Sequence, residues 1–207
     1  MPVHLVDHPI VQDALLELRD QSTTPAAFRT AAARLTTVLA TEALRDLPSR
    51  VATVDTPLGP ATGRRLAGDI VIVPVLRAGL GMMDAILSLA PCARVGHVGL
   101  QRDEATAVAS QYYARFPPRL ESSFVLMVDP MLATGGSAMA ALELLRQAGA
   151  HQVHVLCIVA APEGVAALDA HFPHVHVFTA VVDQGLNARK FIVPGLGDFG
   201  DRLYGTH

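Results

Sequence analysis

Cysteine is scarce in this chain: its 207 residues hold only Cys92 and Cys157. Two such thiols match no zinc spacing and build no disulfide framework, so a reduced, cytoplasmic setting is expected. Basic charge is also in short supply, with 16 Lys and Arg against 19 Asp and Glu, for a net charge of −3. That balance gives no polybasic surface and argues against nucleic acid as a partner. A phosphate ligand stays open, because a few placed cations and backbone N–H groups suffice for it. Long apolar runs are missing. The longest, Val155 to Pro162, is too short to span a bilayer. Met1 to Ile10 carries Asp7 and two histidines and lacks an apolar signal core, so neither a leader nor a membrane partner is expected. With 51% apolar and 17% charged residues, disorder is not expected. No repeat or low-complexity linker divides the chain. One domain over residues 1–207, with a sizeable core, is the expectation.

What is present reads as alternating helices and strands. Ile10 to Leu18 has helical spacing. Thr24 and Pro25 read as an N-cap and first helical residue for a helix from about Ala26 to Leu44. Asp55 to Gly68, broken by Pro57, Gly59, Pro60 and Gly63, predicts a hairpin or loop excursion. Short continuous apolar runs then predict buried strands at Asp69–Pro74, Val95–Leu100, Phe124–Val128, Val153–Ala160 and Val175–Val182. Helices are predicted between them over Gly79–Leu89, Ser137–Gln147 and Glu163–His171, and Leu186 to His207 is expected to be irregular. This alternation predicts an α/β fold, with a central, mostly parallel sheet flanked by helices.

Four strand-end segments carry candidate chemistry. The strongest is Val128-Asp-Pro-Met-Leu-Ala-Thr-Gly-Gly-Ser137, between a buried strand and an amphipathic helix. In open α/β sheets ligands sit at the carboxyl ends of strands. Gly135 and Gly136 permit close backbone approach, and the helix N-terminus behind them offers N–H groups to an anion. Thr134 and Ser137 add hydroxyls, and Asp129 can accept from sugar hydroxyls. A plain turn, with Ser137 capping the helix, is the bland alternative. No Gly-Lys-Ser/Thr follows, so this is not a Walker loop, nor is it a Gly-x-Gly-x-x-Gly turn.

The second segment, Val73 to Gly81, places Arg77 where a diphosphate could be clamped; a surface arginine is the equal alternative. The third, Gln101-Arg-Asp-Glu104, followed by Tyr112 and Tyr113, reads as a lid in which Arg102 brings a second cation; a solvated charge cluster is the default alternative for such a run. The fourth, Phe191 to Asp201, is rich in glycine. Its peptide groups can read a small planar base, with Asp198 as a polar handle, unless the acid only caps a turn. The histidines His151, His154, His171, His174 and His176 lack an acid or cysteine to complete a metal set, so surface or satisfied roles are expected.

Taken in order, VPVLRAGLGMMD, QRDEAT…YY, VDPMLATGGS, VAAPEG and IVPGLGDFGDRLYGT resemble the uracil phosphoribosyltransferases over essentially the whole chain. The resemblance implies the type I phosphoribosyltransferase fold, with the N-terminal helices and residues 186–207 forming a hood over the base. It implies an enzyme that joins uracil to 5-phosphoribosyl 1-diphosphate (PRPP), giving UMP and pyrophosphate. Arg77 and Arg102 match residues that contact the diphosphate. Asp129, Pro130, Met131, Leu132, Ala133, Thr134, Gly135, Gly136 and Ser137 match the loop that holds the ribose and 5′-phosphate. Asp198 matches an acid near PRPP and its Mg²⁺, and Ile192, Gly197, Asp198 and Phe199 match the uracil segment. Arg77, Arg102, Asp129 and Asp198 are thus the catalytic candidates. Mg²⁺ is implied as cofactor, held mainly by PRPP and water with help from Asp129 or Asp198 rather than by dedicated ligands. The resemblance also implies a homodimer or larger assembly and, in some members, a GTP effector, for which no site is legible.

Two departures stand out. Phe199 replaces the family's common Ala, and Asn187-Ala-Arg-Lys-Phe191 lacks the glycine that usually precedes the uracil segment. They leave a phosphoribosyltransferase for another base as an alternative reading. A nucleotide-sensing or RNA-binding regulator on the same fold is another.

Overall fold

The computed structural model describes residues 1–102 and 109–206; for Arg102 and Ala109 it describes the backbone alone. The chain opens with strand β1 (Val3–Leu5), followed by helices α1 (Pro9–Arg19) and α2 (Pro25–Ala43). Thr24 caps α2, its hydroxyl accepting from the Ala27 amide, and Pro25 stands in the first turn, where its missing N–H costs nothing. A hairpin follows, β2 (Ser49–Thr56) and β3 (Gly59–Leu66). The predicted excursion is therefore a regular antiparallel ribbon that starts earlier than expected.

Strand β4 (Asp69–Leu76) leads into α3 (Leu80–Leu89), the short β5 (Arg94–Val95), β6 (His97–Arg102) and β7 (Ala109–Arg115). Next come β8 (Ser123–Val128), β9 (Met131–Leu132), α4 (Gly136–Gln147), β10 (Gln152–Leu156), β11 (Val159–Ala160) and α5 (Pro162–His171). The chain closes with β12 (His176–Thr179), β13 (Val181–Val182), β14 (Gly185–Leu186), β15 (Ile192–Val193) and α6 (Phe199–Tyr204). The main sheet runs β1-β12-β10-β8-β4-β6-β7, with β5 also paired to β4. Its pairs are parallel except β6 with β7.

Burial on both faces follows from the period-two alternation of side chains. Ile70, Ile72, Phe124, Leu126 and Phe178 face a core shared with α1, α2, α3 and α6. Val71, Val73, Val125, Met127, Val155 and Val177 face the other core, under α4 and α5. This is the mostly parallel α/β sheet that the sequence predicts. Among the described residues no helix is long and apolar enough to cross a membrane.

Three expectations are corrected. The predicted strands at Val153–Ala160 and Val175–Val182 each break in two, because β9, β11 and β13 form a separate small sheet. Pro130 lies at the break. It has no N–H for a ladder, and its carbonyl accepts from both Ile158 and Val159, at 2.9 and 3.1 Å. Part of the predicted lid is strand β7, whose cross-strand pairing the sequence pattern did not reveal. The final segment, expected to be irregular, carries the β14–β15 pair and α6.

Candidate active site

The carboxyl ends of neighbouring strands β4 and β8 open into one cavity of about 290 Å³. Its wall includes Arg77, Asp129, Met131 through Ser137, Ile192, Gly197, Asp198 and Phe199. The structure thus gathers three of the four predicted segments around a single space. Leu100, which immediately precedes the remaining one, also lines the wall. The side chain of Arg102, and residues 103–108 of the expected lid, lie outside the described residues. Pro130 is buried and does not line the cavity.

The cradle is built from the backbone. Helix α4 starts at Gly136 behind Gly135, which has φ 81° and provides no side chain to cap it. The Gly136 amide reaches Thr134 Oγ1 only at 3.4 Å. Ser137 stands inside the first turn rather than capping it, so the leading N–H groups of α4 keep their capacity for an anion. A close approach fixes the cradle from behind. A Cβ on Gly164 of α5 would lie 2.5 Å from the Ala133 carbonyl oxygen and 2.8 Å from that of Leu132. Only glycine lets α5 press against the loop so tightly.

Asp129 lies half-buried on the cavity floor. Among the described residues its carboxylate accepts only a long contact, from the Met131 amide at 3.5 Å. Desolvation raises its pKa from the ordinary carboxylate value to about 7, because burial penalises the ionised form. It has acceptor capacity to spare for sugar hydroxyls. Burial likewise pushes the Cys157 thiol beneath the sheet to about 12, which leaves no thiolate for nucleophilic chemistry.

Arg77 stands across the cavity, exposed, with its guanidinium 3.4 Å from Asp201 Oδ1. The Tyr204 hydroxyl donates to the Arg77 carbonyl at 3.4 Å. Asp198 caps α6 by accepting from the Asp201 amide at 2.9 Å, so the capping role and a place at the cavity coexist in one residue. Phe199 is buried. Its ring meets Phe28 edge-on, with centroids 5.1 Å apart, and so fills the core between α2 and α6 rather than leaving it to the cavity.

Lys190, which sequence reasoning did not place at the site, also lines the wall, as do Phe191 and Gly200 from the fourth segment. A signal was available in Asn187, a residue type that favours turns through its side chain. Its Oδ1 accepts from the amides of Arg189 and Phe191 at 2.9 and 3.0 Å, and so folds Lys190 toward the cavity mouth. Lys190 occupies the place of the missing glycine and adopts φ 63°.

This sheet order and strand-end cradle set the class, that of the phosphoribosyltransferases. A hypoxanthine phosphoribosyltransferase from Staphylococcus aureus shares the fold at TM-score 0.50 and 14% identity, covering 81% of this chain and 85% of that one. Within the class, the chain belongs to the uracil phosphoribosyltransferase family, whose family model, "Uracil phosphoribosyltransferase", matches residues 5–206. The uracil phosphoribosyltransferase of Halalkalibacterium halodurans is 46% identical over 205 residues, 99% of this chain and 98% of that protein. That of Symbiobacterium thermophilum is 47% identical with the same coverage. The AQ2163 protein from Aquifex aeolicus has a solved structure that matches at TM-score 0.93 and 36% identity, over 98% of this chain and 97% of that one.

Proposed function

We propose that this protein transfers the phosphoribosyl group of PRPP to N1 of uracil, releasing pyrophosphate and leaving UMP. The observation that carries the reading is the uncapped Thr134–Ser137 cradle, with Asp129 on the same cavity wall and Arg77 across from it. Family membership and the full-length relatives support it.

The bond broken joins ribose C1 to the diphosphate oxygen, and its electron pair leaves with the diphosphate; the bond formed joins C1 to N1 of uracil, and the N1 proton passes to water. Arg77 and Arg102 stabilise the charge growing on the leaving group. The cradle amides, with the Thr134 and Ser137 hydroxyls, hold the 5′-phosphate, while Asp129 accepts from ribose hydroxyls. The uracil segment, Ile192 and Gly197 through Phe199, reads the base mainly through peptide groups. N1 of uracil is thereby held in line with C1, and positioning of that kind supplies a large part of the acceleration. The N-terminal helices and residues 186–207 form the hood over the base.

Mg²⁺ fits this donor set. Asp129 has spare acceptor capacity and Asp198 has one carboxylate oxygen beyond its capping bond. Among the described residues no group of three or more His, Cys, Asp or Glu could hold a metal alone, so the diphosphate and water would supply most ligands. The ion would neutralise part of the diphosphate charge.

A homodimer or larger assembly belongs to the same reading. Exposed Val51, Val54, Leu58 and Leu66 on the β2–β3 hairpin support it.

Purified protein with PRPP, Mg²⁺ and a panel of bases is expected to release pyrophosphate and form UMP with uracil. Turnover with another base and none with uracil would replace this reading.

A further inference from the structure

The turn that leads into the uracil segment is held from outside the cavity. Gly195 has φ 57°, and a Cβ there would lie 2.2 Å from the Ile192 carbonyl oxygen. The turn is therefore too tight to tolerate a side chain. Both polar groups of Gly195 are taken by side chains. Its amide donates to Asp183 Oδ2 at 2.9 Å. Its carbonyl accepts from Arg19 Nη1 at 3.4 Å. Arg19 Nη2 completes the triangle, 2.7 Å from Asp183 Oδ1. The Asp183 side chain is only 4% exposed and that of Arg19 21%, so this pair is screened far less than a surface one.

Adjacent peptide groups are occupied in the same way. Arg202 Nη1 donates to the Leu196 carbonyl at 2.8 Å, and the Gln184 amide donates to the Val193 carbonyl at 3.1 Å. Asp183 is itself anchored to the small sheet, its amide donating to the Ala160 carbonyl at 2.8 Å. The network ties α1, the β13–β14 connection and the turn at 194–196 into one unit. Ile192 and Gly197, at either end of that turn, both line the cavity.

We infer that Asp183 and Arg19 are positioning residues for the nucleobase: they fix the Gly195 peptide and thereby aim the backbone groups of Ile192 and Gly197 at the base. Neither residue lines the cavity. Peptide groups cannot be re-aimed by rotamers, so recognition through them depends on whatever holds the backbone. This deepens the proposed function and rests on it. An error of about 1 Å in such positioning costs up to about 100-fold in rate.

The test is steady-state kinetics of Asp183→Asn, Arg19→Lys and the Asp183→Asn/Arg19→Gln pair, with uracil and PRPP varied in turn. The Asp183→Asn change keeps an acceptor for the Gly195 amide and removes the charge that holds Arg19. Each variant is expected to raise KM for uracil about 10-fold or more while KM for PRPP stays within about twofold. Arg19→Lys, which keeps the charge and loses the two-pronged geometry, should be the mildest. A merely structural role would lower melting temperature and active fraction while leaving both KM values alone. That pattern, or a parallel rise of both KM values in folded protein, would overturn the positioning role with the proposed function intact. Wild-type protein without uracil turnover would overturn both.

Discussion

The guanidinium of Arg77 and the carboxylate of Asp201 meet at 3.4 Å across 124 residues of sequence. Arg77 Cζ also lies 6.0 Å from the Tyr204 ring centroid. The loop after β4 therefore rests on α6. The pair is largely solvent-exposed, and such pairs contribute about 1 kcal/mol or less to stability. Replacing Arg77 by Ala should leave the melting temperature almost unchanged and lower turnover about 100-fold or more. Unchanged kinetics in the folded variant would remove Arg77 from the mechanism.

Asp129 links pH, stability and substrate. Its pKa rises from 3.8 in the unfolded chain to about 7 in the folded one, through desolvation. The folded state therefore holds its proton over a range where the unfolded state has lost it. The contribution to stability is complete below pH 3.8 and is lost as pH rises through about 7. Asp129→Asn escapes that loss. It should be more stable than wild type at about pH 8 by roughly 1–3 kcal/mol, with the advantage shrinking as the pH is lowered toward the ordinary carboxylate range. Its affinity for PRPP should fall. Thermal melts at several pH values, with PRPP titration, check both halves.

The stacked rings of His4, His154 and His176 carry pH dependence of the opposite sign. His4 and His176 are hydrogen-bonded at 3.0 Å, and the His154 and His176 ring centroids lie 4.9 Å apart. Burial lowers the pKa of His4 and His154 and repulsion from His176 lowers it further, opposed at His154 chiefly by the Ala43 carbonyl and at both by Asp46. Asp7, His8, Glu42 and Arg45 line the same cleft. A folded-state pKa below 6.5 means stability that is present above the unfolded value and lost as pH falls below it. His154→Phe should lose less melting temperature than wild type between about pH 7 and about pH 5. Equal losses would exclude His154 as a source of the acid sensitivity.

Lys190 provides a test of backbone conformation. Its φ of 63° lies in the left-handed region, which costs an L-residue with a side chain about 1–2 kcal/mol. Lys190→Gly should raise stability by roughly 0.5–1 kcal/mol, the relief being partly offset by glycine's larger loss of freedom on folding. Chemical denaturation measures it directly. A destabilised variant would mean that the lysine side chain contributes more than its backbone costs.

Gly164 tests the packing behind the cradle. Gly164→Ala would put a methyl group 2.5 Å from the Ala133 carbonyl oxygen, and backbone cannot step aside as a flexible side chain can. Helix α5 must move or the loop must. An increase in KM for PRPP exceeding that for uracil is expected, since Ala133 belongs to the loop proposed to hold the 5′-phosphate. Unchanged KM for both substrates would show that α5 takes up the whole displacement.

Much of the fold was legible because it depends on local chemistry. Thr24 and Pro25 announce α2 through capping, and the apolar runs at β4 and β8 announce buried strands by their continuity. The cradle was legible for the same reason, as an acid, glycines and hydroxyls between a strand and a helix. What stayed hidden depends on long-range pairing. β7 exists as a partner of β6, and its Ala109–Arg115 sequence carries little apolar pattern. β1 pairs with β12, placing His4 opposite Phe178 from the other end of the chain. The break at Pro130 follows from where its carbonyl finds donors. Asp183 and Arg19 drew no notice either, since an acid and a base 164 residues apart become a pair only when the chain closes.

Phe199 joins two parts of the molecule that would otherwise be separate. It lines the cavity wall, while its ring is buried and leans on Phe28. A chemist hunting for altered base preference would therefore gain little by decorating the rim of the opening. Volume changes at Phe28, buried in α2 and outside the cavity wall, should travel through that pair of rings and shift the wall at Phe199.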